Sequence, residues 1–238
     1  KGINPQAWNK PDFFVDLGLD AGLRNDIPKE AGNASLVAWD PVNSRKVWEV
    51  QQPNYWQAGT MSTAGNLVFQ GRNDGKFLAY DARTGKELWS VDVGSGISAP
   101  PITYSVDGKQ YVSLLVGWGG AGGSLGGGSS RAQFGWGYKG QTRQLLTFAL
   151  DGKVPMPVVG KPVFAKPIVP ADFKPDEKLV DRGAKLYTAE CVWCHSAGAV
   201  SGGYTPDLRA SPIFLEKDKL KKVIGGALVQ YGMPRFSH

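Results

Sequence analysis

Two cysteines and a histidine stand within five residues, Cys191-Val192-Trp193-Cys194-His195, and the chain has no other cysteine. Thiols spaced i and i+3 on one helical turn reach the same edge of a porphyrin. Each can add to one vinyl group while the adjoining imidazole lies under the iron, which makes C-x-x-C-H the attachment signature of haem c. Cys191 and Cys194 are therefore expected to bind haem covalently, with His195 as the proximal iron ligand. Two other chemistries compete for these residues. A redox dithiol needs a βαβ setting, which the flanking sequence lacks. A zinc site needs four ligands, where this stretch offers three crowded together.

A sixth iron ligand should follow on a loop. Of Met61, Met156 and Met233, only the last lies downstream, 38 residues after His195 (233 − 195), in the turn Gly232-Met233-Pro234. A thioether there could close the open face of the haem, and His/Met ligation favours electron transfer over oxygen chemistry. The alternatives are Met233 as a core residue and His238 as a nitrogen ligand. The run Gly202-Gly203-Tyr204-Thr205-Pro206-Asp207-Leu208-Arg209 offers a backbone carbonyl, that of Pro206 among them, to orient the His195 ring. Arg209 could pair with a haem propionate or be a solvated surface residue.

These residues need helices to hold them. From Lys178, the residues Leu179, Gly183, Leu186 and Tyr187 recur on one helical face. Gly183 within that helix is expected to mark a close helix crossing. Glu216 to Tyr231 reads as a second helix, stopped by Gly232-Met233-Pro234. Upstream, residues 152–176 carry six prolines and read as a semi-rigid linker.

Before the linker the pattern is that of strands. Residues 1–35 are turn-rich and read as a connecting segment. Residues 36–48, from Leu36-Val37-Ala38-Trp39-Asp40 to Trp48, align with 77–89, from Phe77-Leu78-Ala79-Tyr80-Asp81 to Trp89, at a constant offset of 41 (81 − 40). A period near 40–45 with an aromatic in each unit is that of a β-propeller blade. In each unit an Asp caps a tight turn and a Trp ends the next strand, suited to wedging between sheets. A third echo, Phe148-Ala149-Leu150-Asp151-Gly152, lacks the Trp, as expected of a strand that closes a ring. Asn66–Gln70 and Gln110–Val116 read as further strands. Residues 117–130 are glycine-rich, either a loose loop or a backbone that approaches a flat ligand.

The formal charge of +6 and pI near 9.2 come from scattered Lys and Arg without a basic block, which favours an acidic redox partner over nucleic acid. No apolar run nears the roughly 20 residues of a membrane span. The chain opens at Lys1 with neither an initiator Met nor a leader, and the repeats point to a fragment of a longer protein.

The series of propeller-type repeat, glycine-rich segment, proline linker and C-x-x-C-H resembles the quinohaemoprotein alcohol dehydrogenases along nearly the whole chain. Residues 79–89 fit that family's tryptophan-docking pattern A-x-D-x-x-T-G-x-x-x-W at each fixed position, whereas the copy at 38–48 has Asn43-Ser44 for Thr-Gly. Tyr55 to Phe69 looks like the family's segment at the quinone end of a late blade, and Gly117-Trp118-Gly119-Gly120 like its loop facing the quinone. The resemblance implies part of an eight-bladed all-β propeller (1–151), the linker (152–176) and an all-α cytochrome c domain clipped at its C-terminus (177–238). It also implies haem c, pyrroloquinoline quinone and calcium as cofactors, with Trp56, Trp118, Gly119 and Gly120 near the quinone. The implied activity is periplasmic oxidation of alcohols, an Asp base taking the alcohol proton, hydride passing to the quinone and electrons leaving singly through the haem. A small copper protein or cytochrome would accept them. The catalytic Asp, the calcium ligands and the family's vicinal disulfide are expected upstream of residue 1, and no catalytic base can be assigned within the chain. The alternative is a non-catalytic electron relay with a propeller for docking, and other propeller–cytochrome enzymes such as nitrite reductases are a further option.

Overall fold

The computed structural model describes residues 33–53, 57–118, 143–159, 166–199 and 205–236. Among the described residues nine strands form three antiparallel sheets, each built from neighbours in sequence. The first is the hairpin of β1 (Asn33–Asp40) and β2 (Arg45–Pro53). The second orders β3 (Thr60–Ser62), β4 (Leu67–Gly71), β5 (Lys76–Asp81) and β6 (Glu87–Asp92). The third orders β7 (Ile102–Val106), β8 (Lys109–Val116) and β9 (Gln144–Ala149).

The 41-residue repeat has a structural counterpart in every detail of its turn. β1–β2 and β5–β6 are both hairpins, bulged between Ala38 and Trp39 in one and between Ala79 and Tyr80 in the other. Asp40 Oδ1 accepts the amides of Val42 and Asn43 at 3.0 and 3.2 Å, and Asp81 Oδ1 those of Arg83 and Thr84, both at 2.9 Å. The Asn43 amide donates to Asp40 Oδ2 at 2.7 Å, where the second copy uses the Thr84 hydroxyl on Asp81 at 3.0 Å. Ser44 takes the left-handed conformation (φ +48°) that Gly85 takes in the other copy (φ +72°). The departure from Thr-Gly at 43–44 therefore preserves the turn, with Ser44 carrying the steric penalty of a Cβ at positive φ.

Trp48 crosses from the first sheet to the second. Its indole N–H donates to the Ala82 carbonyl at 2.9 Å, and its ring lies so close to Gly85 that a Cβ there would sit 2.7 Å from Cε3. Trp89, the equivalent residue 41 positions on, behaves differently. It packs edge-on against Phe77 (5.9 Å) and Phe148 (5.6 Å). Phe77, Val93, Ile97, Val112, Leu114, Val116 and Leu146 form the core between the second and third sheets.

The helical part begins at α1 (Glu177–Glu190), capped by Asp176, whose carboxylate accepts the amides of Lys178 and Leu179. A Cβ on Gly183 would meet nothing within 4 Å, so the expected close crossing is not present among the described residues. One turn, α2 (Val192–His195), follows directly. The single helix expected from Glu216 to Tyr231 is broken. Only α3 (Lys217–Lys222) is regular, and Val223–Ala227 widens to π geometry before a 3₁₀ turn at Val229–Tyr231. The reason is Gly226 at φ +111°, where the backbone kinks and the Arg235 side chain occupies the space a Cβ would need. Residues 152–159 and 166–176 form neither helix nor strand, as six prolines across 152–176 require.

Candidate functional site

The end of α1 and the turn α2 present the cysteines and the histidine. Cys191 closes α1 through its amide to the Tyr187 carbonyl (2.8 Å), and its own carbonyl accepts the amides of Cys194 and His195 at 3.2 and 2.9 Å. Both thiols are free and half-buried, and both belong to the one turn Cys191–His195. Burial raises the Cys191 thiol above its ordinary range, reinforced by Glu190 and Cys194. That is opposite to the depressed thiol that marks a redox-active dithiol. Among the described residues no cluster of three or more His, Cys, Asp or Glu could hold a metal ion.

His195 is buried, and its Nδ1 lies 3.0 Å from the Pro206 carbonyl. A carbonyl oxygen only accepts, so Nδ1 carries the proton and Nε2 presents its lone pair, the tautomer that a metal requires. Burial holds the imidazole below its usual pKa, against the opposing pull of the Pro206 carbonyl. The ring is thus neutral and oriented before any metal binds. This donor set fits a haem c: two thiols on one turn and a neutral imidazole fixed by a backbone carbonyl.

Two hydroxyls, whose role the sequence pattern does not announce, hold the turn in place. The Tyr187 hydroxyl donates to the Ser196 carbonyl at 2.6 Å, and the Thr205 hydroxyl donates to the Cys194 carbonyl. Burial drives the Tyr187 phenol far above its ordinary pKa, so it remains a donor. The available signal was chemical: a Tyr where the helical face asked only for an apolar residue. Arg209 forks onto its neighbour Asp207 (Nε–Oδ1 3.1 Å, Nη2–Oδ2 3.0 Å), and its carbonyl accepts the Ile168 amide at 2.8 Å. Met233 is half-buried on the turn after Gly232 (φ +89°), outside this hydrogen-bonded cluster.

Of the quinone-side expectations, Trp118 lies among the described residues, just past the end of β8. Trp118 is buried there, following Gly117, whose φ of +149° excludes a side chain. The Gly117 amide donates to the Gly96 carbonyl (2.9 Å), and its carbonyl accepts the Ser98 hydroxyl (3.1 Å). Trp56, Gly119 and Gly120 lie outside the described residues. A buried polar network lies close by, joined to this region through the Ile97 amide on the Arg72 carbonyl (3.0 Å). Gln52 donates to Gln70, Gln70 to the Ala58 carbonyl (3.1 Å), and the Asn73 amide to Gln57 (2.9 Å). Arg72 and Asp74 form a largely buried, bidentate pair beside it. Isolated glutamines in strands give no sequence pattern to separate them from surface residues.

Residues 29–112 match the family described as the β-propeller domain of glucose/ethanol/alcohol dehydrogenases. The chain is 41% identical over 234 residues to quinohemoprotein alcohol dehydrogenase ADH IIB of Pseudomonas putida, covering 98% of this chain and 32% of that protein. It is 42% identical over 232 residues to a 1-butanol dehydrogenase (cytochrome c) of Thauera butanivorans, covering 97% and 31%. Among solved structures, quinohemoprotein alcohol dehydrogenase ADHIIG from Pseudomonas putida HK5 superposes with a TM-score of 0.69 at 41% identity, over 87% of this chain and 29% of that one. The enzyme from Comamonas testosteroni gives 0.61 at 34% identity, over 85% and 28%. The chain thus spans about a third of the length of the curated relatives it matches, and its sheets are similar in sequence and fold to a quinoprotein propeller.

Proposed function

We propose that this chain, homologous over nearly its whole length to the quinohaemoprotein alcohol dehydrogenases, is the part of such an enzyme that leads electrons from the quinone end of a propeller to a covalently held haem. One observation carries the proposal: His195, buried with its Nδ1 3.0 Å from the Pro206 carbonyl, set beside two free thiols on one helical turn. When bound, the haem supplies one-electron chemistry. Cys191 and Cys194 would tether it, and His195 Nε2 and Met233 would ligate its iron. Arg209 and Pro206 would line its surroundings, Arg209 keeping donors beyond those it gives Asp207.

Pyrroloquinoline quinone and calcium would be held mainly by residues outside this chain, with Trp118 supplying a buried aromatic wall and Trp56, Gly119 and Gly120 assigned to its neighbourhood. The whole enzyme would oxidise alcohols to aldehydes in the periplasm and pass electrons to a soluble copper protein or cytochrome. The net charge of +6 suits an acidic partner. No helix among the described residues is long and apolar enough to cross a membrane.

The test uses the full-length enzyme made in a host that matures c-type cytochromes. Haem should stay with the polypeptide after denaturation, and added alcohol should reduce it only in the presence of quinone and calcium. Met233→Ala should abolish the sulfur-to-iron absorption at the red end of the spectrum. Haem lost on denaturation, or alcohol oxidation without quinone, would overturn the proposal.

A further inference from the structure

The proline segment is docked at both ends. Pro155 and Pro157 favour a polyproline II helix, which repeats every three residues and so puts Met156 and Val159 on one side. The burial follows that period: Met156 packs against the core between the sheets and Val159 is half-buried, while Val154 and Val158 are almost fully exposed. Val159 sits on Gly94, where an added Cβ would lie 2.7 Å from it, at φ +75°. At the far end the Ile168 amide bonds the Arg209 carbonyl at 2.8 Å.

We propose that this segment is a strap that fixes the haem-bearing helices relative to the Trp118 end of the sheets, with Met156 and Val159 as positioning residues. Each anchor leads to a different site. Gly94 is two residues from Gly96, whose carbonyl holds Gly117 beside Trp118. Arg209 is three residues from Pro206, whose carbonyl holds His195. The anchors are nine residues apart (168 − 159), which limits their separation to about 30–32 Å. Without them the tether runs from Asp151 to Asp176, 25 residues (176 − 151), and allows about 83–90 Å. Single-electron transfer falls steeply with distance, so a shortened tether keeps the haem within reach of its electron source. The strap rests on the quinone-to-haem reading for its purpose, although its docking does not.

The experiment replaces Val159→Ser and, separately, Met156→Ser in the full-length, cofactor-loaded enzyme. Each loses one apolar anchor, so chymotryptic nicking after Phe164 and Phe173 should accelerate by about tenfold. Haem reduction after mixing with alcohol should slow by a similar factor, with haem spectrum and quinone content unchanged. Gly94→Ala, which displaces Val159 from the other side, should do the same. Unchanged nicking in both serine variants would refute the docking, and faster nicking with undiminished haem reduction would refute its positioning purpose. A parent without haem would sink the functional proposal while the nicking result still decided the docking.

Discussion

Tyr187 shows how a single hydroxyl serves the candidate haem turn. The ring belongs to the apolar side of α1, but its Oη reaches beyond the end of the helix to the Ser196 carbonyl, the residue after His195. Tyr187→Phe keeps the ring and leaves that carbonyl, in a fully buried residue, without the phenol. The expected cost is about 1–2 kcal/mol, a lost hydrogen bond plus part of the desolvation penalty of the abandoned acceptor. Urea unfolding of the two proteins should show a lower midpoint with an unchanged slope. An unaltered midpoint would mean that Thr205 and Pro206 hold the turn unaided. Covalent haem content should not change, because neither thiol depends on the phenol.

At the scale of elements, the two copies of the repeat form a natural experiment on one turn. Gly85 is doubly constrained, by φ +72° and by the Trp48 ring pressed against it. Gly85→Ala should therefore destabilise by roughly 2–4 kcal/mol, from a Cβ in the left-handed region and overpacking against the indole. Ser44 has the left-handed conformation and is solvent-exposed, so Ser44→Gly should instead stabilise by up to about 1 kcal/mol. Thermal unfolding of both variants checks the opposite signs, and equal effects would show that the turns are not equivalent. This turn was legible from the sequence because its chemistry is local: an Asp, two amides and a residue at positive φ lie within five positions. The break at Gly226 was not. Leu220, Val223, Ile224 and Ala227 keep helical spacing across it, and the Arg235 side chain that fills the space beside Gly226 comes from nine residues on. The glutamine network was hidden for the same reason. Gln52 and Gln70 meet only because two sheets stack, and nothing local to either strand announces the pairing. In the candidate haem turn, by contrast, spacing alone proposes the thiols and the imidazole, while the Pro206 carbonyl that fixes the ring becomes specific only once residues 195 and 206 are folded together.

Across the whole molecule the three sheets are unequally protected. The second is covered on both sides, by Trp48 from the first sheet and by Phe148 with the β8–β9 core from the third. Its central strand β5 is sealed accordingly, with Phe77 and Leu78 at 0% and Tyr80 at 1% exposure. The outer strand β7 is exposed throughout, with Ile102 at 59% and Val106 at 50%. Backbone amides in such strands open with very different free energies, the buried ones only on near-global unfolding and the outer ones by local fraying. Amide hydrogen exchange on the chain should therefore be slowest in β5, intermediate in β8 and fastest in β7, with the exposed first turns of α1 exchanging as readily as β7. Comparable protection in β7 and β5 would mean that the outer face of the third sheet is covered in solution. In that case the stacking that buries the second sheet would continue beyond the third.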